Sequence, residues 1–445
     1  MTRQNALALA VATVFLVVCA PASAGRYGFT QFIENYVTER PDGLGTFYAS
    51  HTRIDGDTVV FTASLASESE SIWTWRYGVF TKLVSTSTPV PGGSGNFSKF
   101  DLTPFAQPPV LRNGTVLFRA LDANGAPGFY TVPEAGGPVS LIVDTSSGIP
   151  GNPDTFDTID DDQFGTDGVS VAFSGGNAAD NVAGVFEVAA DGSGGIATLA
   201  ISSDAVNSDA CGFPVNEYLL PAIDAGHVVL YGQTILDPST GFNALYPDVV
   251  DGVATPCNQP PFPGPHPNLV NSDQPLPGDT SGTSHLRLSA PLVSGDTILF
   301  VARNSDSFGG LYSVPFGTPS QGGGPITAIV DSSTALPGGV APFEITQDAL
   351  TFTIDGEEIF FGVGFRGVFR SYHGAITPVL VAGGTLDGRT VSEVTLGDVN
   401  NFFSEEAHPN TASADERVML WVSFEDGGNA FYLASEPIFG DGFDP

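Results

Sequence analysis

The chain has 445 residues and a formal net charge of −34, with only 15 Lys and Arg against 49 Asp and Glu. Nucleic acids and anionic membrane surfaces are bound through clustered basic side chains, so this composition excludes both classes of partner. Acidity of this degree also keeps a Gly- and Pro-rich chain soluble, which is the simpler explanation for it.

The first 24 residues predict a signal peptide. Arg3 precedes an apolar run from Ala6 to Cys19, and Ala22-Ser23-Ala24 gives the small-x-small pattern of a cleavage site. The run is shorter than the roughly 20 apolar residues of a membrane-spanning helix, and no later segment reaches that length. We therefore expect a protein without a membrane span that is secreted, periplasmic or on the cell surface. Lipidation within the run is the alternative, disfavoured by the bulky Val18 before the cysteine.

A turn followed by an alternating apolar strand recurs seven times downstream. We call it the first anchor, and its copies start 54 to 69 residues apart. A period near 60 suits one four-stranded blade of a β-propeller. The copies are Asp55–Phe61, Asn113–Phe118, Asp167–Phe173, Ala225–Tyr231, Ser294–Phe300, Asp355–Phe361 and Asp415–Trp421.

Two further anchors follow the first in a fixed order. The second is a small residue followed by a pair of apolar or aromatic ones, and it is expected to pair with the first anchor in a hairpin. Its copies are Ile72-Trp73, Phe129-Tyr130, Val185-Phe186, Leu245-Tyr246, Leu311-Tyr312, Val368-Phe369 and Phe431-Tyr432. The third is an apolar strand that runs into a Ser/Thr/Pro/Gly turn. Its clear copies are Leu83–Gly93, Ile142–Gly151, Leu269–Gly278 and Ile329–Gly339, with degenerate copies at Ile201–Phe213 and Leu380–Val394.

The last copy of the third anchor is displaced to the other end of the chain. It is missing after Tyr432 and present at Ile33–Gly43, followed by Phe47. Such an offset is what ring closure requires, whereas an open solenoid would carry capping repeats instead. The sequence therefore predicts an all-β, seven-bladed β-propeller closed by its N-terminal strand segment. Residues 25–435 form this single domain, expected as a monomer, and residues 436–445 form a short acidic tail.

The order of the anchors resembles the blade of TolB-type propellers. Those usually carry a Ser-Pro-Asp-Gly turn before the strand, which none of the seven copies has. The chain is more similar to secreted bacterial propeller-repeat proteins whose third anchor reads Val-Asp-Ser-Thr-x-x-Pro-Gly-Gly. The resemblance covers about residues 29–435, and it implies a propeller fold but no particular activity.

No catalytic motif stands out in the sequence. The Gly-x-Ser-x-Gly elbow of serine hydrolases is missing, and the six His are isolated from one another. We therefore expect a non-catalytic scaffold that binds a ligand, glycan or protein on one face of the ring. The alternatives are a polysaccharide hydrolase or lyase with an axial acidic site, assisted by calcium, and a purely structural surface protein.

Calcium is the metal that the acidic residues favour. Five of them crowd what we expect to be one loop between blades, namely Asp154, Asp157, Asp160, Asp161 and Asp162. Carboxylate oxygens are preferred ligands of Ca²⁺, although the EF-hand glycine is missing from this run. An acidic loop without a ligand is the alternative. Asp144 and Asp331 recur in the third anchor, where Asx turns explain them without a ligand.

The longest interval between first anchors holds a proline-rich insertion around Asn258–Pro267. Loops of this kind on a rigid scaffold often carry binding, and here Phe262 and His266 are the candidate contact residues. A spacer is the equal alternative. Cys211 and Cys257 are the two cysteines left after signal cleavage, and in an oxidising compartment they predict one disulfide, with buried free thiols as the alternative.

Overall fold

The computed structural model describes residues 27–65, 68–100, 109–179, 182–202, 207–208, 214–215, 217–233, 243–247, 269–271, 274–280, 286–304, 308–316, 325–340, 350–397, 413–414 and 417–436. Within these residues the secondary structure consists of β-strands and one 3₁₀ turn at Pro337–Gly339. The predicted all-β class is therefore confirmed. Over the same residues, no helix has the length and apolar character needed to span a bilayer.

The strands form seven antiparallel sheets of four to six strands and one two-stranded ladder. Strand β1 is Gly28–Glu34 and belongs to the closing sheet described last. Sheet 1 has β2 (Ala49–Asp55), β3 (Thr58–Leu65), β4 (Glu68–Arg76) and β5 (Val79–Ser85). Sheet 2 has β6 (Val110–Arg112), β7 (Thr115–Leu121), β8 (Pro127–Pro133) and β9 (Ser140–Asp144). Sheet 3 has β10 (Thr158–Thr166), β11 (Ser170–Asn177), β12 (Val182–Ala189) and β13 (Ala197–Ser202).

The second half of the chain continues this pattern. The ladder is β14 (Asn207–Ser208) with β15 (Pro214–Val215). Sheet 4 has β16 (Glu217–Asp224), β17 (His227–Gln233), β18 (Asn243–Pro247) and β19 (Val270–Asn271). Sheet 5 has β20 (Arg287–Leu288), β21 (Leu292–Ser294), β22 (Thr297–Arg303), β23 (Gly309–Pro315) and β24 (Thr327–Asp331). Sheet 6 has β25 (Leu350–Asp355), β26 (Glu358–Val363), β27 (Gly367–Tyr372) and β28 (Ala375–Val381). The closing sheet has β29 (Thr385–Leu386), β30 (Arg389–Leu396), β31 (Ser413–Ala414), β32 (Arg417–Phe424) and β33 (Asn429–Ser435), together with β1.

The first two anchors pair across neighbouring strands in all seven sheets. Each pair joins two large apolar side chains, and most of these are aromatic rings. The directly opposed residues are Phe61 and Trp73, Phe118 and Tyr130, Phe173 and Phe186, Tyr231 and Leu245, Phe300 and Tyr312, Phe361 and Phe369, and Trp421 and Phe431. The hairpins predicted from the two anchors are thus confirmed.

The second strand of a sheet is apolar on both faces because it lies between two neighbouring sheets. In β3, Val59 and Phe61 face the core shared with the closing sheet, whereas Val60 between them faces the core shared with sheet 2. All three are fully buried. Successive residues of a strand point to opposite faces, so a strand buried on both sides becomes a continuous apolar run.

Each sheet contacts the next one in the chain, and the closing sheet contacts sheet 1. Strand β2 packs against β6, β6 against β10, β10 against β16, β16 against β21, β21 against β25, and β25 against β30 and β31, while β31 returns to β2. Within the part of the chain that the structure describes, the series of sheets therefore has no open end.

The hairpins between first and second strands are linked to one another by aspartates. The carboxylate of Asp55 accepts the N–H of Asn113 in the next sheet at 2.9 Å. Asp167 accepts the N–H of Gly226 at 3.0 Å, and Asp224 accepts the N–H of Gly295 at 2.8 Å. Acidic residues at or just before the start of the first anchor thus have a structural use as turn acceptors.

Strand β1 completes the closing sheet, since it pairs along its length with β33, the last strand of the chain. Phe32 and Ile33 are 6% and 0% exposed and lie in the core shared by the closing sheet and sheet 1. The N-terminal strand therefore completes the sheet that the C-terminal strands begin, as the order of the repeats predicts.

Candidate functional site

The segments that follow the last strand of a sheet repeat one backbone fold. We call them connectors and find three described copies, connector 1 at residues 35–48, connector 2 at 86–98 and connector 3 at 145–157. In each, a Phe N–H donates to the carbonyl of a Thr or Ser earlier in the connector, at 2.9 to 3.1 Å. The three donors are Phe47, Phe97 and Phe156, whose rings are all buried. Because the strands of a sheet alternate in direction, connectors lie on one face of the ring and the Asp-bearing hairpins on the other. We call these the connector face and the hairpin face.

Connector 1 is one residue longer than the other two. The N–H of Glu34, at the end of β1, donates to Oγ1 of Thr38 four residues later. The same bond spans three residues in the other connectors, at Ser85–Thr88 and Asp144–Ser147. Tyr36 lies in this longer segment with a φ of +64°, in the left-handed region that non-glycine residues seldom adopt.

Connector 1 also exposes large apolar side chains where the others do not. Tyr36 is 64% exposed, Val37 60%, Leu44 44% and Tyr48 38%. The corresponding residues are Thr86, Ser87, Ser94 and Ser98 in connector 2, and Thr145, Ser146, Pro153 and Asp157 in connector 3. The shared backbone fold therefore does not require these side chains. We call the four residues of connector 1 the tyrosine patch.

The two tyrosines of the patch are held in place. Their ring centroids lie 5.2 Å apart with a 32° angle between the planes, so that Tyr48 supports Tyr36 from behind. The N–H of Tyr36 donates to the carbonyl of Phe47 at 2.8 Å. Its neighbour Asn35 is buried, accepts the N–H of Ala49 at 2.9 Å and donates to the Asn429 side chain at 3.0 Å. The left-handed backbone of Tyr36 costs roughly 1–2 kcal/mol, and a largely exposed ring recovers little of that by burial.

A buried arginine underlies the connector. The Arg40 side chain is 1% exposed and binds Asp42 through Nε and Nη2 at 3.1 and 2.8 Å. Lys82 also binds Asp42, and both cations lie about 5 Å from the ring centroid of Trp73. Burial tends to raise the pKa of Asp42, but the hydrogen bonds from Lys82 and Arg40 outweigh it and the pKa is lowered. The residues in the place of Arg40 in the other connectors are the buried apolar Val90 and Ile149.

Asp42 also fixes the tip of connector 1. Its Oδ1 accepts the N–H of Leu44 at 3.3 Å, which connects the ion pair directly to a residue of the tyrosine patch. The ion pair thus helps to fix the backbone that carries Leu44.

The hairpin face also carries exposed tyrosines, and Tyr77 among them is engaged with its neighbours. Tyr77 is 69% exposed at a φ of +48°, and its hydroxyl hydrogen-bonds to Asp57. Arg76 lies over its ring at 5.5 Å, and Arg417 of the closing sheet binds the same Asp57. This tyrosine therefore belongs to the contacts that join the closing sheet to sheet 1.

The acidic run predicted as a calcium site is divided between a connector and a strand. Asp154 and Asp157 lie exposed in connector 3, and the Asp157 carboxylate accepts the N–H of Ala178 at 2.9 Å. Asp160, Asp161 and Asp162 lie in strand β10, so the expectation of a single loop is wrong. Pairing of β10 with β11 is interrupted between Ile159 and Phe164, and such a bulge accommodates acidic residues within a strand.

The surroundings of this run include a cation. Arg119 of sheet 2 donates from Nε and Nη2 to the carbonyl of Ile159, at 3.2 and 3.0 Å. Among the described residues no three His, Cys, Asp or Glu side chains are grouped as a metal site, while the side chains of Asp161 and Asp162 are outside what the structure describes. Calcium at this run stays a prediction.

Some of the remaining candidate residues are described by the structure and others are not. Cys211, Cys257, Phe262 and His266 lie outside the described residues, so the disulfide and the binding loop stay predictions. The Asx turns are confirmed. Oδ1 of Asp144 accepts hydrogen bonds from Ser146 and Ser147, and Oδ1 of Asp331 accepts them from Ser333 and Thr334.

The tyrosine patch was not among the sites predicted from the sequence. Its signal is the extra residue in connector 1 and the change from small polar to aromatic side chains. Both become visible only when the third anchors are aligned on the hydrogen bond to Thr38 and its equivalents.

No protein-family model matches the chain, and no curated protein matches it. Among solved structures, it is similar to the β-propeller domain of the Trilobed protease from Pyrococcus furiosus, which is described as having an open velcro topology. The identity is 8% and the TM-score 0.47, over 89% of this chain and 98% of that one. An ulvan lyase from a new family of polysaccharide lyases matches at 11% identity and a TM-score of 0.45, over 91% of this chain and 95% of that one.

TolB from Acinetobacter baumannii also matches, at 12% identity and a TM-score of 0.33, over 66% of this chain and 62% of that one. The closed series of antiparallel sheets described above makes the chain a β-propeller protein, as its repeats predict.

Proposed function

We propose that this chain is a non-catalytic binding scaffold that contacts its ligand through the tyrosine patch on the connector face. The observation that carries the proposal is Tyr36, an exposed aromatic residue with a left-handed backbone at a position where the other two connectors have a Thr. Strained residues persist when the surrounding structure imposes them, and they concentrate at binding and active sites. Exposed apolar side chains that lie together, as the rings of Tyr36 and Tyr48 do, likewise mark interaction sites.

The use of the acidic residues supports binding over catalysis. Asp55, Asp167 and Asp224 each accept a backbone N–H from the next hairpin, and Asp144 and Asp331 close Asx turns. Carboxylates engaged in this way hold the scaffold together, and their number does not by itself indicate general acid or base chemistry.

The proposal is tested with the purified mature protein and a Tyr36→Asn/Tyr48→Ser double variant. Wild-type protein is immobilised and exposed to arrays of glycans and of exported bacterial proteins, and is incubated in parallel with glycosidase, lyase and esterase substrates. We expect binding that the double variant loses, and no turnover. Turnover of any substrate class, or binding that is unchanged in the double variant, would contradict the proposal.

We further propose that the seven sheets are seven blades of one ring. The closed series of contacts between consecutive sheets supports this count, as do the seven cross-strand pairs of large apolar residues. An experimental structure of the mature protein checks it, and a ring with another number of radial sheets would overturn it.

Export, the disulfide and the calcium site are proposals that rest on the sequence. Intact mass after secretion from a bacterial host checks cleavage after Ala24, and thiol labelling with and without reductant checks a Cys211–Cys257 bridge. Titration of the metal-free protein with Ca²⁺, followed by its melting temperature, checks metal binding at Asp154–Asp162. A Phe262→Ala/His266→Ala variant is tested on the same arrays. Loss of binding in this variant would place the contact surface on the proline-rich loop and not on the tyrosine patch.

A further inference from the structure

We infer that the tyrosine patch takes a neutral polysaccharide chain, one sugar ring of which stacks on the outer face of Tyr36. This inference rests on the binding function proposed above and names the chemistry of its ligand. Three properties of connector 1 lead to this inference. They are the preorganised ring of Tyr36, the small size of the apolar surface and the negative sign of the surrounding charge.

The first property is the geometry of the ring. A pyranose presents one face lined with C–H groups and an edge of hydroxyls, so it is bound by a flat apolar surface bordered by polar groups. Tyr36 offers such a surface, with Tyr48 packed behind it at 5.2 Å and its backbone fixed by the bond to Phe47. A ring that is already immobilised loses little conformational freedom when a ligand stacks on it.

The second property is the size of the patch. Its apolar surface consists of four side chains from one connector, and the other exposed residues between Tyr36 and Tyr48 are Glu39, Pro41, Asp42, Gly43 and Gly45. A stable protein–protein interface takes about 20–30 residues from each partner. The patch alone is smaller than such an interface, and it matches a ligand that contacts it through one or two rings.

The third property is charge. The chain has a net charge of −34, and connector 1 carries Glu39 and Asp42. The cations beside it, Arg40 and Lys82, are both bound to Asp42. No cationic group of connector 1 is thus left to face an anionic ligand, and the field of the protein repels uronates and sulfated sugars. Neutral sugars meet no such barrier.

The experiment is affinity electrophoresis of the mature protein in native gels. The gels contain a neutral polysaccharide (β-glucan, xylan, mannan or starch) or an acidic one (alginate or polygalacturonate). We expect at least one neutral polysaccharide to retard the protein and the acidic ones to leave its mobility unchanged. Tyr36→Asn should weaken the interaction by about ten-fold or more, because the stacking surface is removed.

Protein stability separates a loss of binding from a loss of fold. Asn tolerates the left-handed conformation better than Tyr, so Tyr36→Asn should leave the melting temperature unchanged or raise it. Tyr77→Asn is the matched control, since Tyr77 has a similar φ and exposure on the hairpin face, and this variant should bind like the wild type.

Retardation by acidic polysaccharides only, by none of the six, or equally in wild type and Tyr36→Asn would overturn the inference. If no polysaccharide retards the protein but the Tyr36→Asn/Tyr48→Ser variant loses a protein ligand on the arrays, the binding function stands and the carbohydrate assignment fails. Turnover of a polysaccharide would instead remove the binding function itself.

Discussion

Arg389 donates a hydrogen bond from Nη1 to the carboxylate of Glu34 at 3.0 Å, across 355 residues of sequence. The same guanidinium binds Asp426 through two bonds of 2.8 and 2.7 Å and lies over the ring of Phe424. Glu34 is the last residue of β1. The other residues belong to the closing sheet, with Arg389 in β30, Phe424 in β32 and Asp426 in the turn between β32 and β33. The first strand of the chain is therefore tied to the last sheet by charge as well as by the ladder to β33.

Ile33→Ala should destabilise the whole protein by about 2–5 kcal/mol, because it leaves a cavity in the core that the closing sheet shares with sheet 1. Urea unfolding followed by Trp fluorescence measures this loss, since Trp73 and Trp75 lie in the same core. Thr30→Ala is the control on the exposed side of β1 and should change the free energy of unfolding by no more than about 0.5 kcal/mol. Equal effects of the two variants would mean that β1 contributes little to the ring.

The ion pair of Arg389 makes a contribution that depends on pH. Hydrogen bonds from Arg389 and from the N–H of Gly428 lower the pKa of Asp426 to about 2, below its unfolded value of about 3.9. A lowered pKa stabilises the folded state above the unfolded value, and that stabilisation is lost as the pH falls through the folded value. Asp426→Asn should thus lower the melting temperature at pH 6 and leave it close to that of the wild type near pH 2.

Salt provides the control for this prediction. The Asp426 side chain is 55% exposed, so the pair is screened, and the difference between wild type and Asp426→Asn at pH 6 should shrink in about 1 M NaCl. A difference that persists unchanged from pH 6 to pH 2 would show that Asp426 acts through its turn and not through its charge.

The architecture was predictable because each blade must bury large residues at the same places. The seven cross-strand pairs, of which Phe61–Trp73 is the first and Trp421–Phe431 the last, recur at a regular interval in the sequence. The displaced copy of the third anchor at Ile33 identifies the closing strand. The location of Asp160 in a strand was not predictable, because a bulged strand and a loop have similar sequence patterns. Tyr36 was missed for another reason. It lies in the displaced copy of the third anchor, but its role depends on a backbone φ that the sequence does not reveal.

Replacement of the Arg40–Asp42 ion pair of connector 1 should separate charge from packing. Arg40→Ala should cost about 1–3 kcal/mol, because it removes two charge-assisted hydrogen bonds to Asp42 and the contact of a buried side chain with Trp73, while Lys82 still binds Asp42. Arg40→Val/Asp42→Gly introduces the residues found in connector 2 and should cost less than the single change, since Val fills part of the space left by Arg40 and no carboxylate loses its partner. Chemical denaturation of the two variants measures the difference. A double variant less stable than Arg40→Ala would show that this connector depends on its charges.

The small residue that begins the second anchor is required by a close approach of the neighbouring strand. A Cβ added to Gly310 would lie 2.0 Å from the carbonyl oxygen of Val330, just before the register of β23 with β24 shifts between Leu311 and Tyr312. Gly310→Ala should therefore force the two strands apart and cost about 1–3 kcal/mol or more. Gly28→Ala is the control, because its added Cβ meets nothing closer than 3.9 Å. Denaturant unfolding compares the two, and a Gly310→Ala protein as stable as Gly28→Ala would mean that β24 can move away from β23 at no cost.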